Sequence, residues 1–273
     1  IFFRCINELF NLCLCLFKAL YSNCLFNRRQ TIATWKRTSS AAFIINNAIF
    51  EYCLNITSIK LPETIQSIQS ISWSYDYPRL AEIYYEGSIA SWVSIDFGRG
   101  EENNNYAPSL FINEPALYIN GELLTVADIP DGVTAIQPWA FFGCSSLTSI
   151  IIPESIINIG WRAFDHTNIA YVDYQGTLEN WMNITFEGDT DYDTYCSNPC
   201  HIGADLYING NLLTDVVIPS GTSTINAMSF CGCSSITSVV IPNGVTYIGG
   251  CAFARCPNLT NANIPESVSH TGF

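Results

Sequence analysis

The chain has 273 residues, 48% hydrophobic and only 13% charged, enough for a sizeable core in one or two domains. Its formal charge of −13 argues against nucleic acid and anionic membranes as partners, because both are polyanions. That total hides a break: residues 1–41 hold six of the eleven basic residues and one acid, a net of +5, which leaves −18 for the rest.

Residues 1–41 read as a leader outside the repeats that follow. The segment holds Cys5, Cys13, Cys15 and Cys24, and its apolar run from Leu9 to Phe17 is short for a membrane span of about 20 residues. Two readings stay open. A secretory signal is favoured by Arg4 ahead of the apolar stretch, but Glu8, Lys18 and the lack of a small-residue cleavage site weigh against it. The other is a degenerate leader that packs poorly. The chain starts at isoleucine and stops just inside another repeat, so its true ends are expected beyond it.

From residue 42 to 273 one pattern keeps returning: apolar, two free positions, a position that is usually apolar, one free, apolar, then often proline. It reads LTSIIIP at Leu147, ITSVVIP at Ile236, ITSIKLP at Ile56 and LTNANIP at Leu259. Looser copies begin at Leu80, Leu124, Ile169 and Leu213, making eight in all. Alternation of this kind suits a short strand with one buried face, and proline stops it. Successive copies lie 24, 44, 23, 22, 44, 23 and 23 residues apart, so most coils fall in the leucine-rich-repeat range of roughly 20 to 29. A shift of 89 residues lays LYINGELLT at 117 on LYINGNLLT at 206, and Trp92, Phe141 and Cys144 on Trp181, Phe230 and Cys233. Fixed-period self-similarity is the mark of a solenoid.

After each strand comes an apolar pair three apart, as in Ile65–Ile68, Ile156–Ile159 and Val245–Ile248, which suits the return wall of a coil; Gly160 or Gly249 would then allow a tight turn. Next comes Phe with a cysteine three residues on, at Phe50–Cys53, Phe141–Cys144, Phe230–Cys233 and Phe253–Cys256, with Phe164–Thr167 as the fifth copy. Stacked coils would align these phenylalanines as a ladder. Thr167 standing in for a cysteine points to packing rather than chemistry, and Cys231–Cys233 and Cys251–Cys256 lack the paired CxxC and histidine of a zinc site. Cys196 and Cys200 fall in an excursion loop, where a local disulfide and two thiols both remain open.

The long coils YYEGSIASWVSIDF (84–97) and DYQGTLENWMNITF (173–186) place Ser88 and Thr177 to cap a short helix, with Trp92 and Trp181 one turn later as anchors. Asn120–Gly121 and Asn209–Gly210, between apolar runs, are strong hairpin signals. Each long coil should therefore bulge out as a helix plus a hairpin.

AFFGCSSLTSIIIP, IPESIINIGWRAF and IPNGVTYIGGCAFARCPNLT resemble the BspA-like leucine-rich-repeat family, and the YxG(S/T)xxxW and LYINGxLLT segments resemble the insertion that interrupts many such arrays. The resemblance covers roughly residues 42 to 273. It implies a right-handed α/β, β-rich repeat solenoid with a parallel sheet on one face, on a cell-surface or secreted protein used for adhesion and protein binding. It implies no catalytic residues. The leader, Cys196 and Cys200 depart from the family pattern.

The search for chemistry is negative. His166, His201 and His270 are scattered, and no HExxH, GxSxG, GxGxxG or P-loop occurs. Asp189, Asp191 and Asp193 suggest either a calcium loop or a solvated acidic loop; the sixth-place glycine is missing and Cys200 stands at the twelfth place. Asn55, Asn183 and Asn258 begin N-x-Thr sequons. The expectation is a non-catalytic binding module without a cofactor, with a structural spacer of a larger surface protein as the alternative. The partner would be a protein or glycan on a host, matrix or neighbouring cell, and the repeats would not insert into a membrane. Strand residues that alternate outward would form its surface: eight strands about 4.8 Å apart give a sheet roughly 35 Å wide. Its middle would combine Tyr84, Asp128, Ile151, Tyr171 and Asp173, aromatics beside carboxylates that suit protein contact.

Overall fold

The computed structural model describes residues 24–26, 32–35, 43–46, 56–69, 79–98, 111, 113–188 and 196–272. Contacts divide the chain into two units: Ile1–Leu124 with Phe142–Cys144, and Thr125–Phe141 with Ser145–Phe273.

All eight expected copies are strands. In the first unit Ser58–Leu61, Glu82–Tyr85 and Ala116–Ile119 run parallel in one sheet, with Ser58, Glu82 and Ala116 in register. The sheet also takes in Ile32–Trp35, which pairs parallel with Ser58–Leu61, and Cys24–Phe26, antiparallel beyond it. The parallel ladder thus starts on the N-terminal side of residue 42, where the sequence first shows its repeat. In the sequence, the position two before Ile32, where the pattern has its leading apolar residue, is Gln30, which hid the copy. Alternation buries Ile59, Leu61, Ile83, Tyr85 and Leu117 inside the coil.

The second unit carries two parallel ladders. One stacks Val126–Asp128, Ser149–Ile152, Tyr171–Tyr174 and Asp205–Ile208; the other stacks Asp215–Val217, Ser238–Val240 and Asn261–Asn263. Return walls form two further parallel sheets, one of Ala135–Ile136, Asn158–Ile159 and Thr185–Phe186, the other of Thr224–Ile225, Tyr247–Ile248 and His270–Thr271. The fold is a β-rich repeat solenoid with few helices.

The long coils differ from the expected bulge. Ala116–Ile119 and Asp205–Ile208, the first arms of the two hairpins, are themselves rungs of the parallel sheets. Only the second arms, Glu122–Leu123 and Asn211–Leu212, run antiparallel, and each closes its sheet. The single eight-strand sheet is therefore replaced by three ladders, because the antiparallel arm takes the edge where the next parallel strand would pair. The turns themselves are as read: Asn120 (φ 52°), Gly121 (φ 86°), Asn209 (φ 50°) and Gly210 (φ 74°) are all left-handed.

Two short helices follow their caps. In α1, Ile89–Val93, Ser88 Oγ accepts from Ser91 N at 3.2 Å, and in α2, Leu178–Asn183, Thr177 Oγ1 accepts from Asn180 N at 3.1 Å. Both bury their tryptophans. Trp92 packs on Phe97 at 5.2 Å, and Trp181 packs on Phe186 at 5.3 Å while its indole donates to Ser229 O at 2.7 Å.

The phenylalanine ladder exists as two stacks. Phe141 lies 5.6 Å from Phe164, and Phe230 lies 5.2 Å from Phe253, with rings 14° and 8° from parallel. Phe50 and Cys53 lie outside the described residues. Before each of these phenylalanines, Trp139, Arg162, Met228 and Cys251 adopt φ between 53° and 66°, a left-handed bend that the residue types do not advertise. Gly160 and Gly249 have no positive φ. They are glycines because a Cβ would meet Pro138 N or Ala227 N at 2.3 Å in the coil before.

Candidate binding face

The outward columns come from strand alternation and strand register together. In the first unit Lys60, Tyr84 and Tyr118 sit side by side across the sheet. Tyr84 and Tyr118 stack at 4.6 Å and 19°. Lys60 Nζ pairs with Glu86 at 2.6 Å, both side chains half in solvent, a contact worth under about 1 kcal/mol. Lys60, Tyr84, Tyr85, Glu86, Asn120 and Gly121 line a groove of about 580 Å³. Partial burial, then the neighbouring Glu82, raise the Tyr84 phenol above its ordinary value, so it stays a neutral donor at physiological pH.

In the second unit Asp128, Ile151 and Asp173 stand in one row, continued by Tyr207. Tyr171 occupies the adjacent row, between Ser149 and Asp205, and packs on Tyr207 at 4.4 Å. Partial burial and then Asp173 raise its phenol.

The five sequence-chosen residues meet different surroundings. Asp128 is exposed, Tyr84, Ile151 and Tyr171 are half-buried, and Tyr84 belongs to a different sheet from the other four. Asp173 is only 6% exposed. Its carboxylate is used inside the fold, accepting from Gly210 N at 2.9 Å and from Gln175 Nε2 at 2.7 Å, and so fixes the hairpin turn. A carboxylate at an outward strand position is withdrawn here because the hairpin folds over it. Tyr118 and Tyr207 escaped the sequence reading because their segments read as bulges. The alternation of ALYI against EIYY was the available signal.

Cys196 and Cys200 are buried thiols, and no described cysteine is disulfide-bonded. Burial, then the neighbouring Cys231, raises the Cys196 thiol well above its ordinary pKa, and burial, then Cys200, does the same for Cys233. Among the described residues no group of three or more His, Cys, Asp or Glu is arranged to hold a metal. Asp189, Asp191 and Asp193 lie outside the described residues. No helix among them is long and apolar enough to cross a membrane.

Parallel rungs at steps of 22 to 24 residues, an inward aliphatic column and stacked phenylalanines define a repeat protein of the leucine-rich class. Residues 17–97, 112–197 and 200–272 match the BspA type leucine rich repeat region, in six copies, and the chain belongs to that family. The match begins before residue 42, as the ladder does. Among solved structures, a leucine-rich cell surface protein from Faecalibacterium prausnitzii shares 20% identity over 85% of this chain and 58% of its own, at a TM-score of 0.41. A leucine-rich repeat protein from Eubacterium ventriosum shares 20% over 89% and 63%, at 0.43. The pneumococcal vaccine antigen PcpA shares 18% over 78% and 51%, at 0.38. The chain thus spans about half to five-eighths of the length of these three. No curated protein matches.

Proposed function

We propose that this chain is the binding segment of a cell-surface or secreted protein, non-catalytic, and that it holds a protein or glycan partner on its outward sheet faces. The observation that supports this best is the pair of tyrosine stacks, Tyr84–Tyr118 and Tyr171–Tyr207. Both lie on outward columns, next to carboxylates. Paired half-buried rings give a partner rigid area at low entropic cost. The location is taken from one similar structure, the Faecalibacterium prausnitzii protein, which is described as a leucine-rich cell surface protein. In the alternative, a spacer, the same residues would serve only β propensity, as exposed Val217 and Val240 do on the other ladder.

The test removes the stacks in pairs. Tyr84→Ala with Tyr118→Ala, and Tyr171→Ala with Tyr207→Ala, are first checked for unchanged melting. Binding to immobilised matrix proteins and to a glycan panel is then measured. A binding module should retain a defined partner and lose it at least about tenfold in one pair. A wild-type chain that retains nothing specific is a spacer.

A further inference from the structure

The two hairpins share the run Leu-Tyr-Ile-Asn-Gly, yet what lies on their turns differs. On the second, a carboxylate of the chain itself caps the turn: Asp173 Oδ1 accepts from Gly210 N at 2.9 Å, and Oδ2 accepts from Gln175 Nε2 at 2.7 Å. In the first block the positions of Asp173 and Gln175 hold Tyr84 and Glu86. Tyr84 carries no carboxylate and stacks on Tyr118 at 4.6 Å, and among the described residues none accepts from Gly121 N. The first hairpin instead borders the open groove of about 580 Å³ lined by Lys60, Tyr84, Tyr85, Glu86, Asn120 and Gly121. A cation stands there that the second block lacks. Lys60, beside Tyr84 in its ladder, takes the place that Ile151 has beside Asp173.

We propose that this groove docks the carboxylate of an aspartate or glutamate side chain on a partner protein, which supplies to the first hairpin from outside what Asp173 supplies to the second from within. The proposal rests on the binding role given above and narrows it to one contact. The backbone amide of Gly121 donates to one carboxylate oxygen, and Lys60 Nζ approaches the other. Lys60 is already paired with Glu86 at 2.6 Å, but both side chains are half in solvent, so that pair is weak and the ammonium can be shared. A charged acceptor is selected over a neutral one because hydrogen bonds to an ionised group are about twice as strong. Glu86 and Glu82, which lies beside the Tyr84 phenol, place negative charge nearby. The site therefore works by direct contact rather than by long-range attraction. Glu86 also stands where the second block has its amide donor, so the first block holds a carboxylate less firmly than it could.

The experiment follows the Gly121 and Gly210 amides by NMR in the full chain with isotope-labelled glycine, at fixed ionic strength. The probes are the N-acetyl methylamides of aspartate and of asparagine, and glucuronate. Expected is a downfield movement of the Gly121 amide with the aspartate probe, at least about fivefold steeper than with asparagine, while Gly210, already capped, stays still. Lys60→Met should weaken the response about two- to fivefold, and Glu86→Gln, which restores the second block's donor, should strengthen it by a similar factor. Tyr84→Asp gives the first block the second block's own occupant and should remove the response. The wild-type comparison of Gly121 with Gly210 stands whether or not a variant folds. The proposal is overturned if Gly121 does not move, if Gly210 moves equally, or if the asparagine probe acts as strongly. A stronger response to glucuronate would also overturn it, assigning the groove to acidic sugars. If Gly121 is silent while the tyrosine pairs still govern retention of a partner, the contact proposed here fails and the binding role stands.

Discussion

Asp165 is 5% exposed and sits between Arg162 and His201, hydrogen-bonded to Arg162 Nε and with Oδ1 3.3 Å from His201 Nε2. The guanidinium of Arg162 also lies over the Trp139 ring, 4.9 Å from its centre. The other imidazole nitrogen of His201 is 2.8 Å from Asn198 O. Both ring nitrogens thus face oxygen atoms, of Asp165 and of Asn198. Burial alone would raise the Asp165 carboxyl; hydrogen bonds from His201 and Arg162, with their charges, outweigh it and hold the pKa below its usual value. A carboxylate with a depressed folded pKa stabilises the fold above its unfolded value, about 3.9, and that contribution is lost as pH falls through the lower folded value. Asp165→Asn should therefore cost about 3 kcal/mol at neutral pH, because Arg162 keeps its charge in a half-closed site. It should also flatten the acid limb of stability. Denaturant melts at pH 7 and in steps down to about pH 2 would show this; an acid limb as steep as wild type would refute it. Neither His201 nor Asp165 belongs to a motif visible in the sequence, since the trio with Arg162 comes together only when the excursion docks on a short coil.

At the scale of the element, local signals were legible and contacts between coils were not. Helix caps at Ser88 and Thr177 and left-handed turns at Asn120–Gly121 and Asn209–Gly210 follow from neighbours in the chain, and the structure has each of them. Gly160 was read as a turn residue, but its reason lies 22 residues earlier, where Pro138 leaves no room for a side chain. That distinction can be measured. Gly121→Ala has open space around it and only the positive φ to strain, so it should cost about 1 kcal/mol. Gly160→Ala puts a Cβ 2.5 Å from the Pro138 ring and 2.3 Å from its nitrogen, and should cost about 3 kcal/mol as adjacent backbones shift. Thermal and denaturant melts of both decide it. Equal losses would mean that close approach of coils does not govern this column. A second kind of seam was likewise hidden: Thr148, Thr237 and Thr260 each donate Oγ1 to the backbone carbonyl of the threonine about one coil earlier, at 3.2 to 3.4 Å.

For the whole molecule, periodicity carried the fold. Eight strands, the 89-residue higher repeat and the alignment of the phenylalanines were readable because each is a regularity summed over many residues, whereas the break of that ladder into two stacks was not. The division into three ladders was not, because pairing competition at a sheet edge leaves no period behind. The candidate face was legible only in part: alternation identifies which side chains turn outward, but not that a hairpin covers Asp173. Stability should reflect the stacked arrangement, in which coils contact their neighbours. Phe141→Ala should cost about 3 to 5 kcal/mol, and Cys144→Ala, losing fewer atoms from an equally closed site, clearly less. Burial pushes the Cys144 thiol up to about 12, so it should label only after unfolding. Combining Phe141→Ala with Phe230→Ala, which sit in separate stacks, should be additive within about 0.5 kcal/mol. Combining Phe141→Ala with Phe164→Ala should not be, because their rings share one contact. Equal non-additivity in both pairs, read from denaturant melts, would contradict the neighbour-only picture.

The antiparallel hairpin arm has a consequence for how such a gene can grow. A parallel ladder passes its register from strand to strand, so a coil of the wrong length would misplace everything stacked after it. Glu122–Leu123 and Asn211–Leu212 each stop that inheritance, and a new ladder opens at Val126 and at Asp215, ten residues after Ala116 and Asp205 began the last rung. Strand pairing is therefore not copied across these points. They act as seams at which recombination can splice in or remove one whole 89-residue block without rewriting the pairing of the ladders beside it. Length can change in multiples of the block while each ladder stays short and self-consistent.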